Sequence, residues 1–250
     1  LLQVMRANKG VVFKGNTLPE NAWEQAKTVH SDDNVTFMSV CFLRLFYIIK
    51  IGVAIVIVEG ELIIDRLSDA YSSPACKLGR MVEEGKIVRL RRGLYETDPE
   101  TPPYLVANRI CEPSYISFEY ALMRHSIIPE RVVRVTNATC GKRKTKTYSN
   151  RLGTFVYYDI PEEAFPVGIE YWGEGDRRYP IATAVKAVCD MLSKMPSTRT
   201  RKGLETLMFE DLRFDEDAIL ELDAKTVLEY STLYRSTTVK TLGYYLEEFA

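Results

Sequence analysis

The sequence predicts an α+β fold in two parts. A short helix–turn–helix–hairpin unit occupies 61–99, and a larger α+β domain with a helical C-terminal cap occupies 104–250. Three observations predict this order. Apolar residues recur at helical spacing between 61 and 84, and a glycine-centred turn then separates two short β-type runs. A segment rich in Pro, Asp and Glu, Asp98 to Pro103, follows as a joint. Beyond it, helix-like and strand-like segments are mixed up to about residue 195, and the tail is helical throughout.

In the first part, 61–72 (ELIIDRLSDAYS) places apolar residues at 63, 64, 67, 70 and 71, one face of a helix. Ser73-Pro74 supplies an N-cap and an N1 proline for a second helix over 74–84. That helix is expected to bury Ala75, Leu78, Met81 and Val82 and to stop at Gly85. Lys86–Leu90 reads as a strand, Arg91-Arg92-Gly93 as a tight turn and Leu94–Thr97 as the return strand. In the second part, helices are expected at 104–111 and 117–126, and strands near 131–137, 145–148, 153–160, 167–172 and 177–181. A long helix at 182–195 and three helices within 203–249 complete it.

Residues 1–60 form an apolar N-terminal extension of different character. Three readings of it stay open. The stretch Val35–Val58 approaches the roughly 20 apolar residues of a membrane span. Its Arg44 and Lys50 oppose that, since a central cation costs about 2.5–3.5 kcal/mol on insertion. The β-branched run Ile51–Val58 suits a buried strand equally well, and much of 1–57 also suits upstream sequence outside the folded protein. It lacks the pattern of a signal peptide. The expectation is a cytoplasmic protein with no membrane partner.

Composition excludes little by itself. With 46% hydrophobic and 27% charged residues the chain is of ordinary globular type, and its net charge is −1. The charge is nevertheless segregated. Arg131 to Tyr158 holds seven Lys or Arg and no acid, whereas Glu205 to Asp223 holds eight acids against Arg213 alone. Such a chain can present a cationic face to nucleic acid despite a neutral total. The five cysteines, Cys41, Cys76, Cys111, Cys140 and Cys189, are too scattered for a zinc site or a disulfide framework. They are expected to be small buried hydrophobes in a reducing compartment.

The chemistry concentrates around the second helix. Ser73, Cys76, Lys77 and Arg80 share one of its faces, opposite Leu78 and Val82. Lys86, Arg89, Arg91 and Arg92 surround the hairpin, so that 77–92 carries six cations against two anions. A basic helix face beside a basic hairpin is the pattern of a winged helix-turn-helix, whose helix reads base edges while its wing grips phosphate. A solvated hairpin decorated with Arg is the plainer alternative.

The run KLGRMVEEGKIVRLRRGLYETDP, Lys77 to Pro99, resembles the winged helix of the AbiEi-type antitoxins. PSYISFEYALMRHSIIPE (Pro113 to Glu130) resembles the start of the C-terminal domain in that family. So do VTNAT (Val135–Thr139), GTFVYYDI (Gly153–Ile160) and ATAVKAVCDML (Ala182–Leu192). The resemblance covers roughly 61–250 and rests on structural motifs rather than catalytic ones. It implies a transcriptional regulator, the antitoxin of a type IV toxin–antitoxin system. Such a protein represses its own operon by binding double-stranded operator DNA. It also counteracts a nucleotidyltransferase-like toxin without a stable complex. Lys77, Arg80, Lys86, Arg89, Arg91 and Arg92 are its DNA-contacting candidates. One departure is that a single helix precedes the recognition helix, unless 51–60 supplies more. A stand-alone regulator is the alternative within the same class.

A second basic stretch, CGKRKTKTYSNR, offers Lys142, Arg143, Lys144, Lys146 and Arg151 as a possible further nucleic-acid or partner surface. Its alternative is a solvated loop drawn to the acids of 205–223. The rings of Phe155-Val-Tyr-Tyr158 suit core packing better than base stacking. Enzyme readings are poor. His30 falls in the N-terminal extension, His125 ends a helix with no matching acid motif nearby, and Trp172-Gly-Glu-Gly-Asp176 lies between strands, where a dinucleotide loop needs a following helix. Glu84-Gly-Lys86 and Asp223-Ala-Lys225 carry the acid-x-Lys fragment of metal-dependent nucleases, but at helix ends. No catalytic residue, metal or cofactor is expected.

Overall fold

The computed structural model describes residues 57–249, so most of the apolar extension and Cys41 lie outside the described residues. The described part opens on β1 (Ile57–Glu59), α1 (Gly60–Ser68), α2 (Pro74–Glu83), β2 (Val88–Arg91) and β3 (Leu94–Glu96). β1 pairs antiparallel with β3 through Ile57–Glu96, Val58–Tyr95 and Glu59–Leu94, which makes a three-stranded sheet in the order β1–β3–β2. α1 is shorter than the pattern predicts and ends at Ser68. Its Ile63 and Leu67 pack against Leu78, Met81 and Ile87, while Leu62 and Ile64 are exposed.

α2 starts at Pro74 as expected, but the Ser73 side chain makes no capping bond. The first turn is held instead by the proline ring and by the backbone bond from Lys77 N to Ser73 O at 3.1 Å. Ala75 is exposed rather than buried, because the apolar seam of α2 consists of Leu78 and Met81, with Val82 beside them. Cys76 is exposed as well, contrary to the reading of all cysteines as core; Cys111 and Cys189 are buried and Cys140 is intermediate. Gly85 ends the helix at φ +70°, a left-handed position that favours glycine.

β2 alternates, and its two faces go to different places. Val88 and Leu90, each 2% exposed, join Leu94 in the main core, whereas Arg89 and Arg91 are exposed. Tyr95, opposite Arg89, packs on the small cluster between the two helices. The 98–103 segment is folded against its surroundings: Thr101 is buried, and Asp98 N donates to Glu96 Oε1 at 2.9 Å.

The larger part follows as α3 (Pro103–Ile110), β4 (Ser114–Ile116), α4 (Phe118–Arg124), β5 (Val135–Thr139), β6 (Lys146–Asn150) and β7 (Gly153–Asp159). β8 (Ile169–Trp172) and β9 (Tyr179–Ala182) then enclose a 3-10 turn at Gly175–Arg177. These strands form a mixed sheet in the order β6–β7–β5–β4–β9–β8, with β5–β7 and β4–β9 parallel and the other pairs antiparallel. α5 (Ala184–Ser193) presents Ala187, Val188 and Leu192, all at 0% exposure, to the core.

The cap differs in detail from three plain helices. α6 (Arg201–Glu205) runs into a π turn at Thr206–Asp211; α7 (Glu216–Leu220), α8 (Ala224–Tyr234) and α9 (Thr237–Glu247) follow. α8 stops at Arg235, whose left-handed φ of 51° turns the chain into α9. The architecture is mixed α+β, as the sequence predicts. No helix of the described residues is long and apolar enough to cross a membrane.

Candidate nucleic-acid interface

Lys77 and Arg80 stand one turn apart on α2, beside the exposed Ser73 and Cys76. The Lys77 ammonium lies 5.0 Å from the centre of the Tyr71 ring, which directs a flexible side chain. At the end of the helix, Lys86 Nζ is 2.6 Å from the Glu84 carboxylate. The Lys86 hydrogen bond and charge hold that carboxyl below its ordinary range, and the charges of Lys77 and Arg80 lower it further. Three of the expected cations therefore gather around one anion.

Arg89 and Arg91 project from the exposed side of β2, and Arg92 leads into Gly93, whose φ of +78° closes the turn. The pairing slips between Arg89 and Arg91, an irregularity that increases the local twist. No ion pair among the described residues involves Arg89, Arg91 or Arg92.

The structure brings part of the second basic stretch to this surface. Asn150 Nδ2 donates to Leu90 O at 3.2 Å, which ties β6 to β2. Arg151 fills the space beside Gly85: a Cβ at that glycine would lie 1.8 Å from Arg151 Nη1. Sequence reasoning placed Arg151 among the second group, and nothing local signals its contact with the end of α2.

The rest of the stretch stays apart from that contact. The backbone N–H groups of Lys142 and Arg143 donate to the Asp159 carboxylate at 2.8 and 2.9 Å. Arg143 and Lys144 are exposed, and Lys146 is half-buried. The expected attraction to the 205–223 acids does not take the form of ion pairs among the described residues. Those acids that are paired have other partners, as in Arg201–Glu205 at 2.9 Å. Phe155 and Tyr157 are core residues at 0% exposure, and the Tyr157 hydroxyl donates to Ala107 O at 2.6 Å.

His30 lies outside the described residues, and the other residues weighed for catalysis have structural partners. Asp223 caps α8 by accepting from Thr226 N at 2.8 Å and also accepts from the Thr226 hydroxyl; the hydroxyl bond first, then the backbone bond, holds its carboxyl below the usual range. His125 ends α4, with Nε2 2.7 Å from Ala182 O and its ring edge-on to Trp172 at 5.1 Å. Trp172–Asp176 is the β8–β9 connection. No cluster of three or more His, Cys, Asp or Glu suited to a metal occurs among the described residues. What the sequence reading missed is a buried network in α5. Lys186 and Asp190, both at 0% exposure, lie 3.5 Å apart, and the carboxylate accepts from Tyr115, Ser117 and Tyr234. Its one sequence signal is a Lys and an Asp four residues apart within an apolar helix.

Compared with known proteins, the chain matches no family model, and no curated protein matches it.

Proposed function

We propose that the protein is a DNA-binding transcriptional regulator in which 57–96 acts as a winged helix-turn-helix. α2 is the recognition helix and the β2–β3 hairpin is the wing. The observation that carries this reading is the assembly of Lys77, Arg80, Lys86, Arg89, Arg91, Arg92 and Arg151 around one helix end and one hairpin. In this reading Lys77 and Arg80 meet base edges in the major groove, and the wing arginines, which form no ion pair among the described residues, meet phosphate. The resemblance of 61–250 to AbiEi-type antitoxins gives the role: repression of its own operon, and counteraction of a nucleotidyltransferase-like toxin without a stable complex. A cytoplasmic location and a non-enzymatic mode of action belong to the same proposal.

The test is binding of the full chain to its own promoter across a salt series. Each phosphate neutralised contributes about −0.9 to the slope of log affinity against log salt. Arg91→Ala with Arg92→Ala is expected to weaken binding to all sequences and to flatten the slope by about 2. Arg151→Ala is expected to flatten it by about 1, whereas Lys77→Ala with Arg80→Ala removes the preference for the promoter over unrelated DNA. Promoter affinity and slope unchanged in the Arg91/Arg92 variant would remove the wing from the mechanism.

A further inference from the structure

A cavity of about 600 Å³ opens between the start of α3, the end of α4 and the β8–β9 hairpin, lined by Tyr104, Leu105, Arg124, Trp172, Arg177 and Tyr179. Its volume falls in the range of about 300–1,000 Å³ typical of small-ligand sites. The walls are aromatic. Tyr104 and Tyr179 stand 4.8 Å apart, and Trp172 is fixed by its Nε1–H bond to Glu170 at 2.8 Å and by the edge of His125.

Arg124 occupies the centre of this arrangement. Its guanidinium carbon is 5.3 Å from the Trp172 ring centre and 5.7 Å from that of Tyr104, and Nη2 donates weakly to the Tyr179 hydroxyl at 3.4 Å. No carboxylate pairs with Arg124 among the described residues. Three aromatic side chains thus orient the guanidinium and leave most of its N–H donors open to an anion. Arg177 adds a second cation, and Glu174 a carboxylate acceptor.

An inorganic anion has no use for the rings, and an apolar ligand has none for the arginines. A ligand that joins an anion to a planar ring uses both. We infer that this cavity binds a nucleoside phosphate, free or at the end of a single strand, with the phosphate on Arg124 and Arg177 and the base against the aromatic wall. Glu174 accepts from a base amine or a sugar hydroxyl. The inference stands apart from the DNA-binding reading, since the site shares no residue with α2 or the hairpin.

The full chain carries two tryptophans, so Trp23→Phe leaves Trp172 as the sole reporter. Its fluorescence is titrated with the four ribonucleoside monophosphates, with inorganic phosphate and with a short 5′-phosphorylated single-stranded RNA. Saturable quenching by at least one nucleotide and none by phosphate is expected. Arg124→Gln is expected to weaken binding about tenfold or more, as loss of a charge-assisted hydrogen bond does. Arg177→Gln, on the exposed hairpin, supplies a second variant with little risk to folding. Tighter binding of the RNA assigns the site to strand ends, and tighter binding of a monophosphate assigns it to free nucleotides. Absence of saturable quenching by every nucleotide and by the RNA up to about 5 mM, a Kd at which binding free energy is only a few kcal/mol, overturns the inference. Equal affinity in folded Arg124→Gln and Arg177→Gln proteins overturns it too.

Discussion

Asp190 serves four partners from a position with no solvent exposure. Its carboxylate accepts from Ser117 Oγ at 2.6 Å, Tyr115 OH at 3.0 Å and Tyr234 OH at 2.5 Å, and faces Lys186 Nζ at 3.5 Å. Lys186 Nζ in turn donates to Ala164 O and Tyr234 OH, each at 2.5 Å. Asp190→Ala strands a buried ammonium and leaves three hydroxyls without their acceptor. Removing one partner of a buried ion pair costs about 3–5 kcal/mol, and here Lys186 keeps two oxygen acceptors, so the loss belongs at that level rather than above it. For a domain of this size that is about 6–20 °C in Tm. Lys186→Met is milder, about 1–3 kcal/mol, because the carboxylate retains three hydroxyl donors. Lys186→Met combined with Asp190→Ala should cost less than the sum of the single changes, by about 0.5–3 kcal/mol. Urea denaturation of the four proteins, read as midpoint and slope, decides the matter. A loss below about 1 kcal/mol for Asp190→Ala with an unchanged slope, or strict additivity in the double variant, refutes the reasoning.

Gly85→Ala is expected to destabilise by about 1–2 kcal/mol, since Gly85 holds φ +70° and the new Cβ meets the Arg151 guanidinium. Adding Arg151→Ala should restore only the steric part of that loss; full recovery in denaturation would show that the backbone conformation costs nothing. Alkaline stability gives another check. Burial is the main cause that pushes the phenols of Tyr115, Tyr157 and Tyr234 above their ordinary range, with the Asp190 charge adding to the first and last. The unfolded chain ionises these groups near about 10, so their stabilisation is complete below that pH and is lost as pH rises beyond it. Burial lowers Lys186, which acts in the opposite sense: its cost is relieved as pH rises from its lowered value towards about 10.4. Tyrosinate absorbance of these phenols should therefore appear together with unfolding; their reversible ionisation near 10 with native near-UV circular dichroism intact would contradict it.

Local signals were legible where a single residue decides the backbone. Pro74 and Gly85 bracket α2, and the alternation of Val88-Arg89-Leu90-Arg91 marks the two faces of β2. β4 was not legible, because its three residues are all buried between β5 and β9 and leave no polar alternation to read. The shortened α1 has a similar origin: Ala70 and Tyr71 fit the helical period but lie in and just after the turn that ends it. Of the candidate site, the six cations at 77–92 came from spacing, whereas the contact of Arg151 with Gly85 is made between segments far apart in the chain. The Lys186–Asp190 network shows the same limit. Four-residue spacing puts the pair on one helix face, but it takes distant partners such as Tyr234 of α8 and Tyr115 of β4 to make that face an interior one.

The β2–β3 hairpin, the wing of the proposed DNA-binding unit, is not a free appendage. The strand that displays Arg89 and Arg91 also buries Val88 and Leu90 in the main core, and Leu90 O is held by Asn150. Because side chains in a strand alternate, a one-residue slip would turn the arginines inward and the core residues outward, so the register that builds the core also fixes the display. A basic surface held in place loses less conformational freedom on binding than a flexible one, which lowers the cost of association. It follows that removing 104–250 exposes Val88, Leu90 and Leu94 and perturbs the hairpin as well. The proposed DNA-binding role is therefore to be separated from any role of 104–250 by surface changes. Lys77→Ala with Arg80→Ala acts on one surface, and charge reversal at Lys142, Arg143, Lys144 and Lys146 acts on another, while the shared core is left intact.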